Sequence, residues 1–281
     1  MGENPTTLVN GCDIDYIDAR DRGLTYGDGL FETIAVIKAE PSLWEKHMHR
    51  MFDGCRRLAL PVPDTDILLS EIKQLADGQN GTAKLVLTRG VGQRGYVPPV
   101  SCTPTRIVQF QASSNIPPAF NATGISVGIC STTLACNPLL AGIKHLNRLE
   151  QIMAAREIAE SEYTDGLMMD MDQNLIEGIS SNLFLVEPAG LVTPKLDRCG
   201  IAGVMRSCVI ETAAELGIKV KEDRVPIERL MNADGLFLTN SLTGILPINR
   251  VKDQPYNTAC INSLLIEMVR HAAFSLPISR C

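Results

Sequence analysis

Hydrophobic residues in the first third of the chain follow two different periods. Residues 31–39 (FETIAVIKA) alternate between apolar and polar side chains and predict a half-buried strand. From Trp44 onward apolar residues recur at helical intervals, after Ser42 and Glu45 in the spacing of a capping box. A second helical pattern (DILLSEIKQLADG) and two strand patterns (AKLVLTR and TRIVQFQA) follow. We predict a small α+β N-terminal domain over residues 1–113.

The run ASSNIPPAFNATG, from residue 112 to residue 124, interrupts these patterns. It contains few large apolar side chains and two adjacent prolines, so it continues neither a strand nor a helix. We therefore place a linker at 114–123 and a larger C-terminal domain at 124–281. The patterns in that domain predict strands at ISVGIC, GLMMDMD, LIEGISSNLFLVE, GLVT, FLTNS and GILPI, and helices around NRLEQIMAAREIAE, 203–216 and 259–272.

Composition and charge narrow the class of protein. Hydrophobic residues make up 45% and charged residues 21%, as in ordinary folded domains. The formal net charge of -6 provides no positive field for nucleic acid or anionic lipid. No leader pattern and no run of about 18 apolar residues is present. We expect a soluble cytoplasmic protein with a small-molecule substrate, and neither nucleic acid nor a membrane as partner.

The cysteine and histidine patterns give no sign of a metal site. Nine cysteines are scattered along the chain without a CxxC pair, which is typical of thiols in a reducing compartment. His47 and His49 are two residues apart on a predicted helix, so they point to different faces. We predict that the protein holds no metal.

A glycine motif at Gly90–Gly95 has the form GxGxxG after a predicted strand. Tyr96-Val97-Pro98-Pro99 follows it and cannot begin a helix, which a dinucleotide site requires. The motif therefore predicts a mobile loop from which Arg94 and Tyr96 can face a substrate. A non-enzymatic nucleotide-binding module is the corresponding unfavoured alternative.

Four other features carry possible chemistry. Lys144 follows the apolar run LLAGI, and a partly desolvated amine attacks carbonyl carbons more readily. Gly200–Val204 enters a predicted helix whose first N–H groups can bind an anion, and residues 239–244 (TNSLTG) form a second small, hydroxyl-rich turn. Arg50 offers a forked guanidinium. Taken singly, each feature also has an ordinary structural explanation, such as a surface lysine whose stem covers apolar groups.

Together these features resemble a known enzyme family. Residues 177–184 (EGISSNLF), 191–193 (LVT) and 201–206 (IAGVMR) match the signature of the fold type IV pyridoxal-phosphate enzymes, which include D-amino-acid and branched-chain aminotransferases and aminodeoxychorismate lyases. The resemblance implies an α+β, two-domain fold like that of D-amino-acid aminotransferase. It further implies pyridoxal 5'-phosphate as cofactor in the cleft between the domains, and a homodimer whose partner chain borders the site.

Within this family, three stretches most resemble the aminodeoxychorismate lyases: DRGLTYGDGLFET (21–33), TRGVGQRGY (88–96) and AGIKHLNRLEQ (141–151). Branched-chain aminotransferases usually carry Asn-Tyr four and five residues after the lysine, whereas Asn147-Arg148 lie at three and four. The resemblance implies conversion of 4-amino-4-deoxychorismate to 4-aminobenzoate and pyruvate, a step of folate biosynthesis. A D-amino-acid or branched-chain aminotransferase is the alternative, and Glu32 does not separate the two.

The resemblance also assigns roles to individual residues. It implies that Lys144 carries the cofactor and transfers the proton, and that Glu177 is the partner of the pyridine nitrogen. It implies that Arg50 binds the cofactor phosphate. Four further residues would complete the phosphate site: Val204, Met205, Ser241 and Leu242. The candidate substrate residues are Tyr26, Glu32, Arg94, Tyr96 and Arg106.

Overall fold

The computed structural model describes residues 6–276, and the chain divides into two compact units. The first unit comprises the chain up to Pro118 together with Ile143–Asn147, and the second comprises Ala119–Gly142 and the chain from Arg148 onward. The return of Ile143–Asn147 to the first unit has no counterpart in the sequence-based division. Cys281 lies outside the described residues.

The first unit is built on a five-stranded antiparallel sheet with the order β1-β5-β4-β2-β3. Its strands are β1 Thr7–Val9, β2 Gly29–Ile37, β3 Glu40–Pro41, β4 Gly81–Thr88 and β5 Thr105–Ala112. Its helices are α1 Arg22–Tyr26, α2 Trp44–Leu58 and α3 Thr65–Ala76. The predicted strands and both longer helices are confirmed.

Strand alternation gives this sheet one face that packs against α2 and α3. Leu30, Ile34 and Val36 of β2 point to that face and join one hydrophobic core with Met48 of α2 and Ile72 of α3. Phe31, Thr33 and Ala35 therefore point to the opposite face. Burial of a continuous apolar cluster on one side is what holds the helices on the sheet.

The residue that precedes α2 differs from the predicted capping residue, Ser42. The residue before the helix is Leu43, in a left-handed conformation with φ 51°, and it makes no side-chain cap. Ser42 instead donates its backbone N–H to the Ala35 carbonyl, 2.8 Å away, next to the β2–β3 hairpin. Helix α2 therefore begins one residue later than the spacing of Ser42 and Glu45 predicts.

The second unit contains a nine-stranded mixed sheet and four α-helices within the described part of the chain. The strands are β6 Ile125–Ile129, β7 Asp165–Met169, β8 Leu175–Gly178, β9 Asn182–Glu187, β10 Gly190–Pro194, β11 Val220–Asp223, β12 Gly235–Asn240, β13 Gly244–Val251 and β14 Gln254–Pro255. The helices are α4 Leu149–Ala159, α5 Val204–Glu215, α6 Ile227–Met231 and α7 Ser263–Phe274, with a 3-10 turn at Thr258–Cys260.

Strand pairing closes part of this sheet on itself. The order is β11-β10-β9-β12-β13-β6-β7-β8, and β8 also pairs with β9. Six strands therefore form a closed ring. The sequence predicts a single strand over 175–187, but Gly178 N–H bonds the Ser181 carbonyl at 2.7 Å, and the chain turns back there. This turn brings Glu177 beside Asn182 and closes the ring.

Helix α5 covers β12, and α7 packs against α5 and β13. Within residues 6–276, no helix combines the length and the apolar character needed to cross a membrane.

Candidate active site

Glu32 lies at the centre of a buried charge cluster in the first unit. It occupies the helix-facing side of β2 and is only 1% exposed. Arg50 donates its Nε to Glu32 Oε1 at 2.8 Å and a second N–H to Oε2, and His47 Nδ1 lies 2.7 Å from Oε2. His47 and Arg50 are three residues apart on α2, so one helix face presents both to the carboxylate.

This cluster fixes the protonation of its members. Burial opposes ionisation of Glu32, but the Arg50 charge and the His47 hydrogen bond outweigh it and lower its pKa to about 2. Burial lowers the pKa of His47, and this effect exceeds the opposing effect of the Glu32 carboxylate. The nearby positive charges of Arg50 and Lys144 lower the pKa further. A neutral His47 therefore donates Nδ1–H to Glu32, while its Nε2 has no hydrogen-bond partner among the described residues.

Lys144 is carried on a short segment that pairs with the edge of β2. Phe31 N–H donates to the Lys144 carbonyl and Leu146 N–H to the Gly29 carbonyl, both at 3.0 Å. The half-buried Lys144 side chain places Nζ 4.3 Å from the centre of the Phe31 ring. Its backbone is thus fixed by a strand, and its amine lies over an apolar surface.

A network of arginines joins α1 to the segment after β4. Asp28 accepts from Arg22 Nε at 2.9 Å and from Arg89 Nε at 2.7 Å. Burial opposes ionisation of Asp28, but the two guanidinium groups hold its pKa below the usual value. Arg22 also donates to the carbonyls of Gly95 and Tyr96, at 2.8 and 3.1 Å. The glycine loop at 89–104 contains no helix, as the sequence predicts, and Arg22 secures it.

Two of the candidate substrate residues contact each other: Tyr26 at the end of α1 and Tyr96 in the loop. Tyr26 Oη accepts the Gly95 N–H at 2.9 Å, and the Tyr26 and Tyr96 rings lie 5.6 Å apart. Tyr96 is 87% exposed, and Arg94 beside it is exposed as well. Within residues 6–276, Arg94 forms no ion pair. This cationic side chain is therefore available to an anionic ligand.

Arg106 lies elsewhere. It belongs to β5, in register with Leu87 of β4, on the face covered by helices. Arg106 Nε and a second N–H bind both carboxylate oxygens of Glu71 on α3, at 2.7–3.0 Å. The side chain is committed to a salt bridge within the fold, and we leave it out of the site.

A row of buried polar side chains crosses three strands of the second unit. Strand register places Glu177 of β8 opposite Asn182 of β9, and Asn182 opposite Thr239 of β12. All three are less than 5% exposed. Thr239 Oγ1 has no hydrogen-bond partner among the described residues. A buried hydroxyl without a partner is costly in a folded protein unless a ligand or water binds it.

The turn before α5 is anchored to this row. Ile201 N–H donates to Glu177 Oε2, and Asn182 Nδ2 donates to the Ile201 carbonyl, both at 2.8 Å. A Cβ at Gly203 would lie 2.0 Å from Asn182 Oδ1, so only glycine fits there. Helix α5 thus begins directly beside the polar row.

The predicted anion site at the start of α5 has the required backbone. Val204 and Met205 are the first two residues of α5, and the N–H groups of a first helical turn lack partners within the helix. The second predicted anion-binding element, the turn at residues 239–244, does not have all of its N–H groups available. Leu242 N–H already donates to Asn240 Oδ1 at 2.9 Å in the β12–β13 turn, so we retain Ser241 and leave out the Leu242 N–H.

Sequence reasoning missed four residues of the Glu32 cluster, the arginine network and the polar row: His47, Arg22, Asn182 and Thr239. Asn182 and Thr239 stand inside quoted motifs, so their place in the motif was a usable signal. Arg22 also stands inside a quoted motif (residues 21–33), whereas His47 carries no comparable signal, because its partner Glu32 is 15 residues away and meets it only in the folded chain.

Comparison with known proteins identifies the family. Residues 29–251 match the family described as Amino-transferase class IV. The chain belongs to this family. An aminodeoxychorismate lyase of Vibrio harveyi is 34% identical over 245 residues, which are 86% of this chain and 90% of that protein. A D-alanine aminotransferase of Bacillus licheniformis is 24% identical over 242 residues, 85% of this chain and 84% of that protein.

Comparison with a solved structure identifies the fold of the chain. The crystal structure of 4-amino-4-deoxychorismate lyase from Pseudomonas aeruginosa has 43% sequence identity and a TM-score of 0.83. It covers 89% of this chain and 93% of that chain. This chain therefore has the two-domain fold of the class IV aminotransferases, which the sequence predicts.

Class IV aminotransferases are pyridoxal 5'-phosphate enzymes, and this chain is a pyridoxal-phosphate-dependent enzyme of that family. The residues of the second unit fit the cofactor. The helix N-terminus at Val204 suits a phosphate ester, and the unpartnered Thr239 hydroxyl lies in the adjacent polar row. Glu177 is a buried carboxylate, a group that would suit a protonated pyridine nitrogen.

Proposed function

We propose that this enzyme converts 4-amino-4-deoxychorismate to 4-aminobenzoate and pyruvate. The observation that carries the proposal is the 43% identity to 4-amino-4-deoxychorismate lyase from Pseudomonas aeruginosa over 89% of this chain. The lyase-like stretch AGIKHLNRLEQ, which surrounds Lys144, supports the same reaction.

Cofactor binding would be shared among named groups. Arg50 and the N–H groups of Val204 and Met205 would bind the phosphate, with Ser241 beside them. Glu32 fixes the guanidinium plane of Arg50 through two hydrogen bonds, so a bidentate contact would lose less side-chain entropy on binding. Lys144 would hold the cofactor covalently, and Gly142, two residues earlier, is hydrogen-bonded to Gly200 and Ala202.

Proton transfer would depend on Lys144 and Glu177. When bound, pyridoxal phosphate supplies a ring that accepts the electron pair released at the amine-bearing carbon. Lys144 Nζ would remove the proton from that carbon and protonate the departing enol. Glu177 would keep the pyridine nitrogen protonated, because a nearby carboxylate favours the charged ring.

Substrate recognition would use the glycine loop. The substrate carries two carboxylates, whereas the protein has a net charge of -6, so a local cation must attract it. Arg94 is the exposed cation of this loop, next to Tyr96 and the Tyr26 ring that packs on it. Arg22 secures the loop backbone, and Arg94 would bind a carboxylate.

We further propose that the enzyme is a homodimer. Leu149, Ile152 and Met153 of α4 form an apolar stripe at helical spacing, and each is at least 59% exposed. Contiguous exposed apolar side chains on a helix are typical of a protein interface. A second copy of this chain is the proposed occupant.

A product assay tests the proposed reaction. Purified protein loaded with pyridoxal phosphate is incubated with 4-amino-4-deoxychorismate and no keto acid, and 4-aminobenzoate and pyruvate are quantified. A lyase forms both in equal amounts over many turnovers. Lys144→Ala, which lacks the proton-transferring amine, should form neither.

The class IV aminotransferases provide the alternative, and the D-alanine aminotransferase likeness favours testing D-alanine with 2-oxoglutarate in parallel, together with a branched-chain amino acid. An aminotransferase would stop after one half-reaction without a keto acid. A stall with aminodeoxychorismate, combined with steady turnover of either amino acid, would refute the lyase proposal and establish the alternative.

A further inference from the structure

Two cysteines of the second unit meet although they are far apart in sequence. Cys136 lies in the segment after β6, and Cys199 lies in the bend before α5. Cys136 packs against the apolar cluster that contains Cys199. Both are free thiols.

Backbone hydrogen bonds hold the two segments together on either side of this thiol pair. Asn137 N–H donates to the Arg198 carbonyl at 2.8 Å, one residue from each cysteine. Farther along, Gly142 N–H donates to the Gly200 carbonyl at 2.8 Å, and Ala202 N–H donates to the Gly142 carbonyl at 3.1 Å. A disulfide requires two cysteine backbones that are already close, and this pairing supplies that closeness.

The two thiols differ in access to solvent. Cys136 is half-buried. Cys199 is buried in an apolar cluster with Leu134 and Met168. Burial, together with the neighbouring Cys136, Asp170 and Glu177, raises the pKa of Cys199 to about 12. Cys199 therefore remains protonated as a thiol, and Cys136 is the more exposed of the two cysteines.

We propose that Cys136 and Cys199 form an intramolecular disulfide when the protein meets a peroxide-class oxidant. The Cys136 sulfur attacks one peroxide oxygen, the O–O bond breaks, and one water leaves with a sulfenic acid remaining on Cys136. The Cys199 sulfur then attacks the Cys136 sulfur, the S–O bond breaks, and a second water leaves. Two thiols are oxidised by two electrons, and one hydrogen peroxide is reduced to two waters.

The cross-link would tie together two segments with separate roles. The segment of Cys136 leads to Lys144, and the segment of Cys199 leads to Ile201, whose N–H binds Glu177, and then to α5. The proposal concerns thiol chemistry and does not depend on which reaction the enzyme catalyses.

Peptide mapping tests the disulfide directly. The holoenzyme is treated with a small excess of hydrogen peroxide, remaining thiols are alkylated, and the protein is digested without reduction for mass spectrometry. We expect one cross-linked peptide pair containing Cys136 and Cys199, which dithiothreitol separates. Cys136→Ser should abolish the pair, and this half-buried position tolerates the change.

Cys130→Ala is the matched control. Cys130 lies in the same apolar cluster as Cys199, but its sulfur lies beside Gly166, so its loss should leave the cross-link unchanged. Oxidation of Cys136 to sulfenic or sulfinic acid without a cross-link would overturn the proposal, as would pairing of either cysteine with a different thiol.

Hydrogen exchange gives a second measurement that requires no Cys199 variant. Oxidation should slow exchange at the Gly142 and Ala202 amides, which join the two segments. The slowing should be absent in oxidised Cys136→Ser. Equal slowing in that variant would show that the effect arises from another site and would contradict the proposal.

Discussion

Glu32 connects residues that the sequence presents as unrelated. The sequence names Glu32 as a substrate candidate and Arg50 as a phosphate ligand, and it treats His47 as one of two histidines on different helix faces. In the folded chain, Arg50 and His47 both bind the Glu32 carboxylate, which is 1% exposed. The pairing depends on how α2 packs on β2, and no local pattern records that contact.

Glu32→Gln should destabilise the protein strongly. The amide cannot neutralise Arg50, and breaking a buried ion pair costs about 3–5 kcal/mol. Urea unfolding at pH 7.5 measures the change. Glu40→Gln is the matched control, because Glu40 pairs with Lys73 at the surface and such pairs contribute about 0–1 kcal/mol. A loss from Glu32→Gln no larger than that of the control would show that the buried pair contributes nothing extra.

His47 should make stability depend on pH. Burial lowers its pKa below 6.5, so as the pH falls below 6.5 the unfolded chain binds a proton that the folded chain does not. Stability is therefore lost as the pH falls from 6.5 toward the folded pKa. The Glu32 contribution persists to lower pH and is lost as the pH falls from about 4.5 to about 2.

The variant His47→Asn keeps a donor for Glu32 but does not titrate. Its free energy of unfolding should vary less between pH 7.5 and 5.5 than that of the wild type, by up to about 1.4 kcal/mol per pH unit. Urea unfolding at three pH values checks the slopes. His49→Asn, on the exposed face of the same helix, is the control variant. Identical slopes for His47→Asn and the wild type would exclude this linkage.

At the scale of elements, periodicity predicts the long helices and strands, because each buries an apolar face. It fails where the chain turns tightly. The predicted strand over 175–187 breaks at Ile179–Ser181, and α2 begins one residue later than the spacing of Ser42 and Glu45 predicts. The short elements α1, β3, β11 and α6 contain five residues or fewer, too few to show a period.

Helix α1 holds the glycine loop in part through the Tyr26 hydroxyl, so removing this hydroxyl should loosen the loop. Tyr26→Phe keeps the ring contact with Tyr96 but removes the acceptor of the Gly95 N–H. Loss of one such bond costs about 0.5–1.5 kcal/mol, equivalent to roughly 2- to 13-fold faster local opening. Hydrogen exchange of residues 93–100 should speed up accordingly, with little change in global stability.

Tyr16→Phe is the control for this prediction, since Tyr16 is exposed and its hydroxyl makes no hydrogen bond within residues 6–276. Exchange in the loop should match the wild type in that variant. If Tyr26→Phe also matches the wild type, the Tyr26 hydroxyl has no part in securing the loop.

At the scale of the whole molecule, the chain distributes the proposed cofactor ligands over two units. Arg50 and Lys144 belong to the first unit, whereas Glu177, Val204 and Ser241 belong to the second. Lys144 reaches the first unit only because Ile143–Asn147 returns to the edge of β2. The motifs identify these residues from the sequence, but their division between units follows from strand pairing that is remote in sequence.

The exposed apolar stripe on α4 predicts the oligomeric state. If Leu149, Ile152 and Met153 lie in a dimer interface, the wild type should elute with twice the 30.6 kDa chain mass in size-exclusion chromatography with light scattering. Ile152→Glu would place an unpaired charge in that interface, at a cost of about 3–5 kcal/mol, and weaken association by roughly 10²- to 10³-fold or more. Ile67→Glu on α3 changes an exposed isoleucine of the first unit and should leave the mass unchanged. A monomeric wild type would refute the dimer, and a dimer unaffected by Ile152→Glu would show that another surface joins the two copies.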